Sequence, residues 1–147
     1  MSVKPDKTAV IGLVKSGDLF LTIQRSATVR APLKWCFPGG TVEKNESHQQ
    51  ALRREFVEEM NLVITPVREV WTSLTPWNTE LHWWTATAQN LESLVPNPAE
   101  VADYRWLKLR ELRDHSELLE SNVQFLDLVE SGDISLEGSL GGDNLDS

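Results

Sequence analysis

One helix constrains the fold of this chain more than any other feature of its sequence. Leu52, Phe56 and Met60 recur every four residues, the spacing of a buried stripe along a helix. Ser47 stands three residues before Gln50, a pairing that forms a capping box, so the helix is expected to start there. The flanking segments have a different character. Residues 8–14 and 19–23 are short apolar runs around the turn signal Lys15-Ser16-Gly17-Asp18 and read as a hairpin. Residues 30–36 form a looser strand candidate, interrupted by Pro32 and closed by Pro38-Gly39-Gly40. After the helix, residues 67–74 and 81–88 read as strands joined by Thr75-Pro76-Trp77-Asn78. Residues 90–98, with two prolines, read as a loop, and 101–107 as a further strand. Residues 109–129 read as helical with a break near His115-Ser116. Strands and helices interleave without an internal repeat, which predicts an α/β domain with a mixed sheet.

A chain of 147 residues with 40% apolar content can bury one core without disulfides or metals to hold it. Cys36, the single cysteine, has no partner for an intrachain bridge. The expected division is a domain over residues 1–130 and an acidic, glycine-rich, disordered tail over 131–147. The net charge is −8, and the tail acids Asp133, Glu137, Asp143 and Asp146 carry half of it. An acidic balance does not suit binding to long nucleic acids, which depends on Lys and Arg displacing counterions. The apolar run 9–14 is too short to span a bilayer, and the polar start lacks the pattern of a signal peptide. No membrane partner and a cytoplasmic location are therefore expected.

The helix also carries Glu55, Glu58 and Glu59. At 100° per residue they fall within an arc of roughly 100°, beside the apolar stripe. Like charges three and four apart destabilise a helix by ~0.2–0.5 kcal/mol per pair, and less screening beside a buried face increases the repulsion. Two readings fit: a solvated acidic face, or a site for a hard divalent cation such as Mg²⁺, which prefers carboxylate oxygens. Pro38-Gly39-Gly40 leads into the helix by way of Glu46, and glycine lets backbone approach an ion closely.

From Gly40 the sequence reads Gly, five residues, Glu46, seven residues, then Arg54-Glu55-Phe56-Val57-Glu58-Glu59-Met60-Asn61-Leu62. This resembles the signature of the Nudix hydrolases, Gly-x5-Glu-x7-Arg-Glu-U-x-Glu-Glu-x-Gly-U, where U is a bulky apolar residue. The one departure is Asn61 in place of glycine. Asparagine is the next-best residue for a left-handed helix terminus, so the backbone turn is expected to survive. Leu21-Thr22-Ile23-Gln24-Arg25, Trp35-Cys36-Phe37-Pro38-Gly39-Gly40, and Glu100 six residues before Trp106 extend the resemblance over about 110 residues.

The resemblance implies a Nudix fold, a mixed β-sheet sandwiched between α-helices. It implies Glu58 and Glu59 as main metal ligands, with Glu55 a further ligand or base and the carbonyl of Gly39 completing the sphere. Arg54 would orient the carboxylates, with Gly40 and Glu46 structural. Glu100 would be a late-loop base or ligand, and Glu80 competes for that role. The implied cofactor is Mg²⁺, with Mn²⁺ as substitute. The implied reaction is hydrolysis of a diphosphate linkage in a nucleoside derivative, foremost a nucleoside triphosphate. ADP-ribose or a nucleotide sugar is the alternative substrate, and a non-catalytic nucleotide sensor the alternative of another class. Pro76, 14 residues past Leu62, falls short of the spacing of ADP-ribose-cleaving members. Family members are monomers and homodimers.

Substrate contacts are expected from Arg25 and from tryptophans around the last strands, Trp77, Trp83 and Trp84. An indole stacked on a base is worth ~1–3 kcal/mol, and core packing is the competing use of tryptophan. Trp83 and Trp84 are adjacent, so they face opposite sides of a strand. Cys36 is expected to be packed. His48, His82 and His115 show no ligand spacing.

Overall fold

The computed structural model describes residues 4–115 and 117–136. Strand β1 (Lys7–Ser16) is the spine of the molecule. Its side chains alternate: Val10 and Val14 enter one core, Ile11 and Leu13 the other. At Gly17, with φ +64°, the chain turns into β2 (Leu19–Arg25). Short strands β3 (Trp35–Cys36) and β4 (Gly39–Thr41) precede helix α1 (His48–Met60). Then come β5 (Ile64–Leu74), β6 (Thr79–Ala88), β7 (Val101–Leu107), and helices α2 (Leu109–Arg113) and α3 (Glu120–Ser131).

The seven strands form a mixed sheet. β6 runs parallel to β1 from Lys7↔Thr79 to Val14↔Ala86, and β5 pairs antiparallel with β6. The other edge of β1 holds β4 along its first half and β2 at its end. β3 and β7 flank β2 on its two edges. Helix α1 covers one face, with Ala51, Leu52, Phe56 and Met60 buried against Val10, Val14, Leu21 and Ile23. Helices α2 and α3 cover the opposite face, where Leu112, Phe125 and Leu126 meet Ile11, Leu13, Phe37 and Trp83. The protein is thus an α/β sandwich with a mixed sheet between helices. Burying each large side chain of these stripes contributes ~1.5–3 kcal/mol.

α1 has the ends that its sequence predicts. The Ser47 hydroxyl accepts from the Gln50 amide at 3.0 Å, and the Gln50 side chain accepts from the Ser47 amide at 2.9 Å. Asn61 closes the helix at φ 52°, ψ 40°, its amide donating to the Val57 carbonyl at 3.0 Å. Gly12 lets the helix approach, because a Cβ there would overlap the Phe56 ring.

The expected break in the C-terminal helical stretch separates α2 from α3, between Arg113 and Glu120. Two expectations need correction. In the looser segment only Trp35–Cys36 is strand, since Ala31 and Leu33 on either side of Pro32 adopt φ 48° and 62°. The packed chain also continues past residue 131. Ile134 is buried in the second core, its amide donates to the Leu128 carbonyl at 3.1 Å, and Leu136 packs beside it. The rest of the expected tail, 137–147, lies outside the described residues. Among the described residues no helix is long and apolar enough to cross a membrane.

Candidate active site

The site begins where the β3–β4 turn runs against β1. The Gly12 amide donates to the Pro38 carbonyl at 2.9 Å, and a Cβ on Gly39 would overlap the backbone of Val10. A Cβ on Gly40 would overlap the Glu55 carboxylate, so only glycine lets that side chain of α1 lie flat on β4.

Arg54 organises the loop that follows. Its Nε donates to Glu46 Oε2 at 2.7 Å and its Nη2 to Glu46 Oε1 at 3.0 Å, a two-pronged grip. Nη2 also donates to the Thr41 carbonyl at 2.9 Å. Nη1 donates to Glu55 Oε2 at 2.9 Å and to Glu58 Oε1 at 3.2 Å. Glu46 in turn accepts from the Glu43 amide at 2.9 Å. The hydrogen bond from Arg54 holds the Glu46 carboxyl below its usual range. One guanidinium therefore fixes the loop and two of the three helix glutamates.

Glu55, Glu59 and Glu100 each bring a carboxylate oxygen within 4.8 Å of the others. Glu100 reaches them because its loop is tied to the end of α1. The Val95 amide donates to the Met60 carbonyl at 2.9 Å and the Asn97 amide to the Glu59 carbonyl at 2.8 Å. Those carbonyls have no partner inside the helix, so the loop satisfies them. Glu80, the competitor, lies against His82. Glu58 stands outside the group of three, its side chain 49% exposed and held by Arg54.

Burial sets the electrostatics. Glu59 is 7% exposed, and burial, reinforced by the charges of Glu55 and Glu100, pushes its carboxyl well above the ordinary range. Burial raises Glu55 as well, against the hydrogen bond from Arg54. Glu59 Oε1 is buried without a hydrogen-bond partner. A buried carboxylate oxygen without a partner, facing two more carboxylates, requires a proton or a cation. The all-oxygen donor set fits a hard divalent cation.

The cluster lines a cavity of about 460 Å³ whose lining also includes Gly39, Arg25, Arg30, Trp77 and Asn122. Arg25 Nε donates to the Arg30 carbonyl at 2.6 Å, and the Arg30 guanidinium lies 5.5 Å from the centre of the Trp77 ring. Trp77 is 54% exposed, so its indole is open to a ligand. Cys36 is packed: burial above all pushes its thiol up to about 12, which leaves it protonated at neutral pH.

Trp83 and Trp84 do not line the cavity. Trp83 is fully buried, stacked on Phe125 with ring centres 4.6 Å apart. Trp84 packs on the α1 side of the sheet. Their alternation is as expected, but both indoles belong to the cores. Sequence reasoning missed Arg30 and Asn122. Nothing in the sequence marks Arg30. Asn122 interrupts the apolar stripe of Leu118, Phe125 and Leu126, and its Oδ1 accepts from the Phe37 amide at 2.9 Å.

The family profile of the NUDIX domain matches residues 4–129. Among solved structures, a MutT protein from Methanosarcina mazei Go1 is 20% identical with a TM-score of 0.74, covering 90% of this chain and 99% of that one. A NUDIX hydrolase from Nitrosomonas europaea is 22% identical with a TM-score of 0.70, covering 90% and 76%. The E. coli ORF135 protein is 21% identical with a TM-score of 0.69, covering 93% and 94%. Comparison with curated proteins gives no match. At these identities the structural likeness speaks to the fold.

Proposed function

This chain belongs to the NUDIX domain family and is a hydrolase acting on phosphorus-containing anhydrides; on that premise we propose that its substrate is a nucleoside triphosphate, cleaved to the monophosphate and pyrophosphate. The observation that carries the reading is the group of buried Glu55 and Glu59 with half-buried Glu100, in the lining of a cavity that also holds Arg25, Arg30 and the exposed Trp77.

Glu55, Glu59 and Glu100 would hold the cation, Mg²⁺ with Mn²⁺ as substitute; Gly39, which lines the same cavity, and Glu58, next to Glu59 on α1, would complete its surroundings. When bound, the cation supplies the positive charge that neutralises diphosphate oxygens and acidifies water. The chain's own residues do the rest. Arg54 keeps Glu55 and Glu58 in fixed orientations, so the carboxylates need no rearrangement when substrate arrives. Water attacks phosphorus, a new P–O bond forms, the bridging P–O bond breaks, and the water proton passes to a carboxylate. Glu55 or Glu100 would accept it. Arg25 and Arg30 offset the remaining phosphate charge, and Trp77 offers a stacking face for the base.

A cytoplasmic enzyme, monomeric or dimeric and without affinity for long nucleic acid, completes the reading. The test is phosphate release, with a coupling pyrophosphatase or phosphatase, across canonical and oxidised nucleoside triphosphates, ADP-ribose, nucleotide sugars and dinucleoside polyphosphates. Each is assayed with Mg²⁺, Mn²⁺ and EDTA. Turnover of triphosphates that EDTA abolishes is the expected result. Preferential turnover of ADP-ribose or a nucleotide sugar refutes the substrate assignment. Saturable nucleotide binding without turnover of any compound refutes catalysis.

A further inference from the structure

His48 and His82 are 34 positions apart and show no ligand spacing in the sequence, yet the fold brings their rings together with centres 4.2 Å apart. His48 opens α1, and His82 lies on β6 beneath it. Two carboxylates complete the group. Glu69 Oε2 on β5 lies 2.6 Å from His82 Nδ1, and Glu80 Oε1 lies 2.8 Å from His82 Nε2. Thr72 Oγ1 donates to Glu69 Oε2 at 2.6 Å. None of the four lines the cavity of the carboxylate cluster.

A neutral imidazole has one N–H and one lone pair. With a carboxylate on each ring nitrogen, one of the two contacts sets a lone pair against an anion. A second proton or a metal ion between His82 and Glu69 relieves it. His48 brings a further ring nitrogen to the group, its ring centre 4.2 Å from that of His82.

We propose that His48, Glu69 and His82 form a second metal site for a borderline divalent transition ion, with zinc as its reference ligand, separate from the catalytic carboxylates. One ligand atom from each of the three lies within 4.8 Å of the others. Zinc bonds of ~2.0–2.2 Å place tetrahedral ligands roughly 3.4 Å apart, so small side-chain rotations close the site. Two nitrogens and one oxygen suit zinc, whereas magnesium prefers oxygen alone. Glu80 takes the position of the outer carboxylate that accepts the N–H of a metal-bound histidine and fixes its tautomer. The ion would tie the first turn of α1 to β5 and β6, away from the reacting phosphates.

The experiment is calorimetric titration of the full chain with Zn²⁺ in excess Mg²⁺, backed by the visible absorption spectrum with Co²⁺. One equivalent should bind to the parent protein and equally to Glu59→Gln, with a tetrahedral Co²⁺ spectrum. His48→Gln and His82→Gln should each weaken this binding at least tenfold, and Glu80→Gln by roughly 10–100-fold. His48→Gln changes only the partly exposed first residue of a helix, so it tests the site without altering a paired strand, as His82→Gln does. Mg²⁺-supported turnover should persist in His48→Gln. Absence of a Zn²⁺ equivalent in the parent overturns the proposal. So does its loss in Glu59→Gln, or binding that is unchanged in His48→Gln.

Discussion

Glu59→Gln should move stability and turnover in opposite directions when no divalent cation is present. The side chain is 7% exposed, one oxygen has no hydrogen-bond partner, and the carboxylates of Glu55 and Glu100 adjoin it. Its folded-state carboxyl lies well above the ordinary 4.5, chiefly through burial. A carboxyl raised on folding stabilises the protein below its unfolded value, and that contribution is lost as pH rises through the folded value. In EDTA the parent should therefore lose stability from about pH 4.5 upward, while the glutamine, nearly the same shape and uncharged, removes that loss. An uncompensated buried polar group costs about 1–3 kcal/mol. At about 3 °C per kcal/mol for this chain length, Glu59→Gln should raise Tm by about 3–9 °C at about pH 8 in EDTA, with little difference at about pH 4. Saturating Mg²⁺ should reverse the order, since a ligand at 100 times its Kd adds about 2.7 kcal/mol to the form that binds it. Turnover should fall by about 10²–10⁴-fold. Melting curves in EDTA and in Mg²⁺, with phosphate release, read all three effects. A variant less stable than the parent in EDTA at alkaline pH, or one within tenfold of parental activity, refutes the reasoning.

Trp77→Ala should raise KM about 5–100-fold with kcat little changed, because stacking on a base is worth ~1–3 kcal/mol and the indole touches no reacting atom; initial-rate kinetics on the preferred triphosphate decide it. Gly40→Ala forces the Glu55 carboxylate away from β4, and a displacement of about 1 Å should lower kcat on the order of 100-fold, measured beside a melting curve that shows the fold retained. Ending the chain at Ser131 instead of Leu136 removes the buried Ile134 side chain. The lost burial of ~1.5–3 kcal/mol should lower Tm by about 5–9 °C, and equal melting temperatures would show that Ile134 contributes nothing.

Much of this architecture could be read from local rules. The capping box, the left-handed Asn61 and the buried stripe of α1 depend on neighbours within four residues, and all three take the expected form. The end of the packed chain was harder to read. Glycines and acids dominate the composition after Ser131 and hide Ile134, whose burial depends on a contact with the second core. The split between α2 and α3 was visible as a weak point in the pattern. Its extent depends on Trp35, whose amide and carbonyl pair with Glu117 and Leu119 and draw that segment out of helical form.

The site divides along the same line. Arg54, Glu55, Glu58 and Glu59 share one helix, so helical spacing alone puts them near one face. Spacing does not say which carboxylates converge. That is settled by the bonds from Asn97 and Val95 to the last carbonyls of α1, which carry Glu100 to Glu55 and Glu59, and by Arg54, which retains Glu58 on the exposed side. The histidine pair is a stronger case of the same effect. His82 belongs to a strand whose pairing with β5 contains two register shifts, and His48 to the first turn of a helix crossing above it. No periodicity within either element relates the two rings; only the crossing of the helix over the sheet does. Carboxylates that share one helix are thus visible to a reader of spacing, while a cluster assembled from a helix and two strands becomes visible only in the folded chain.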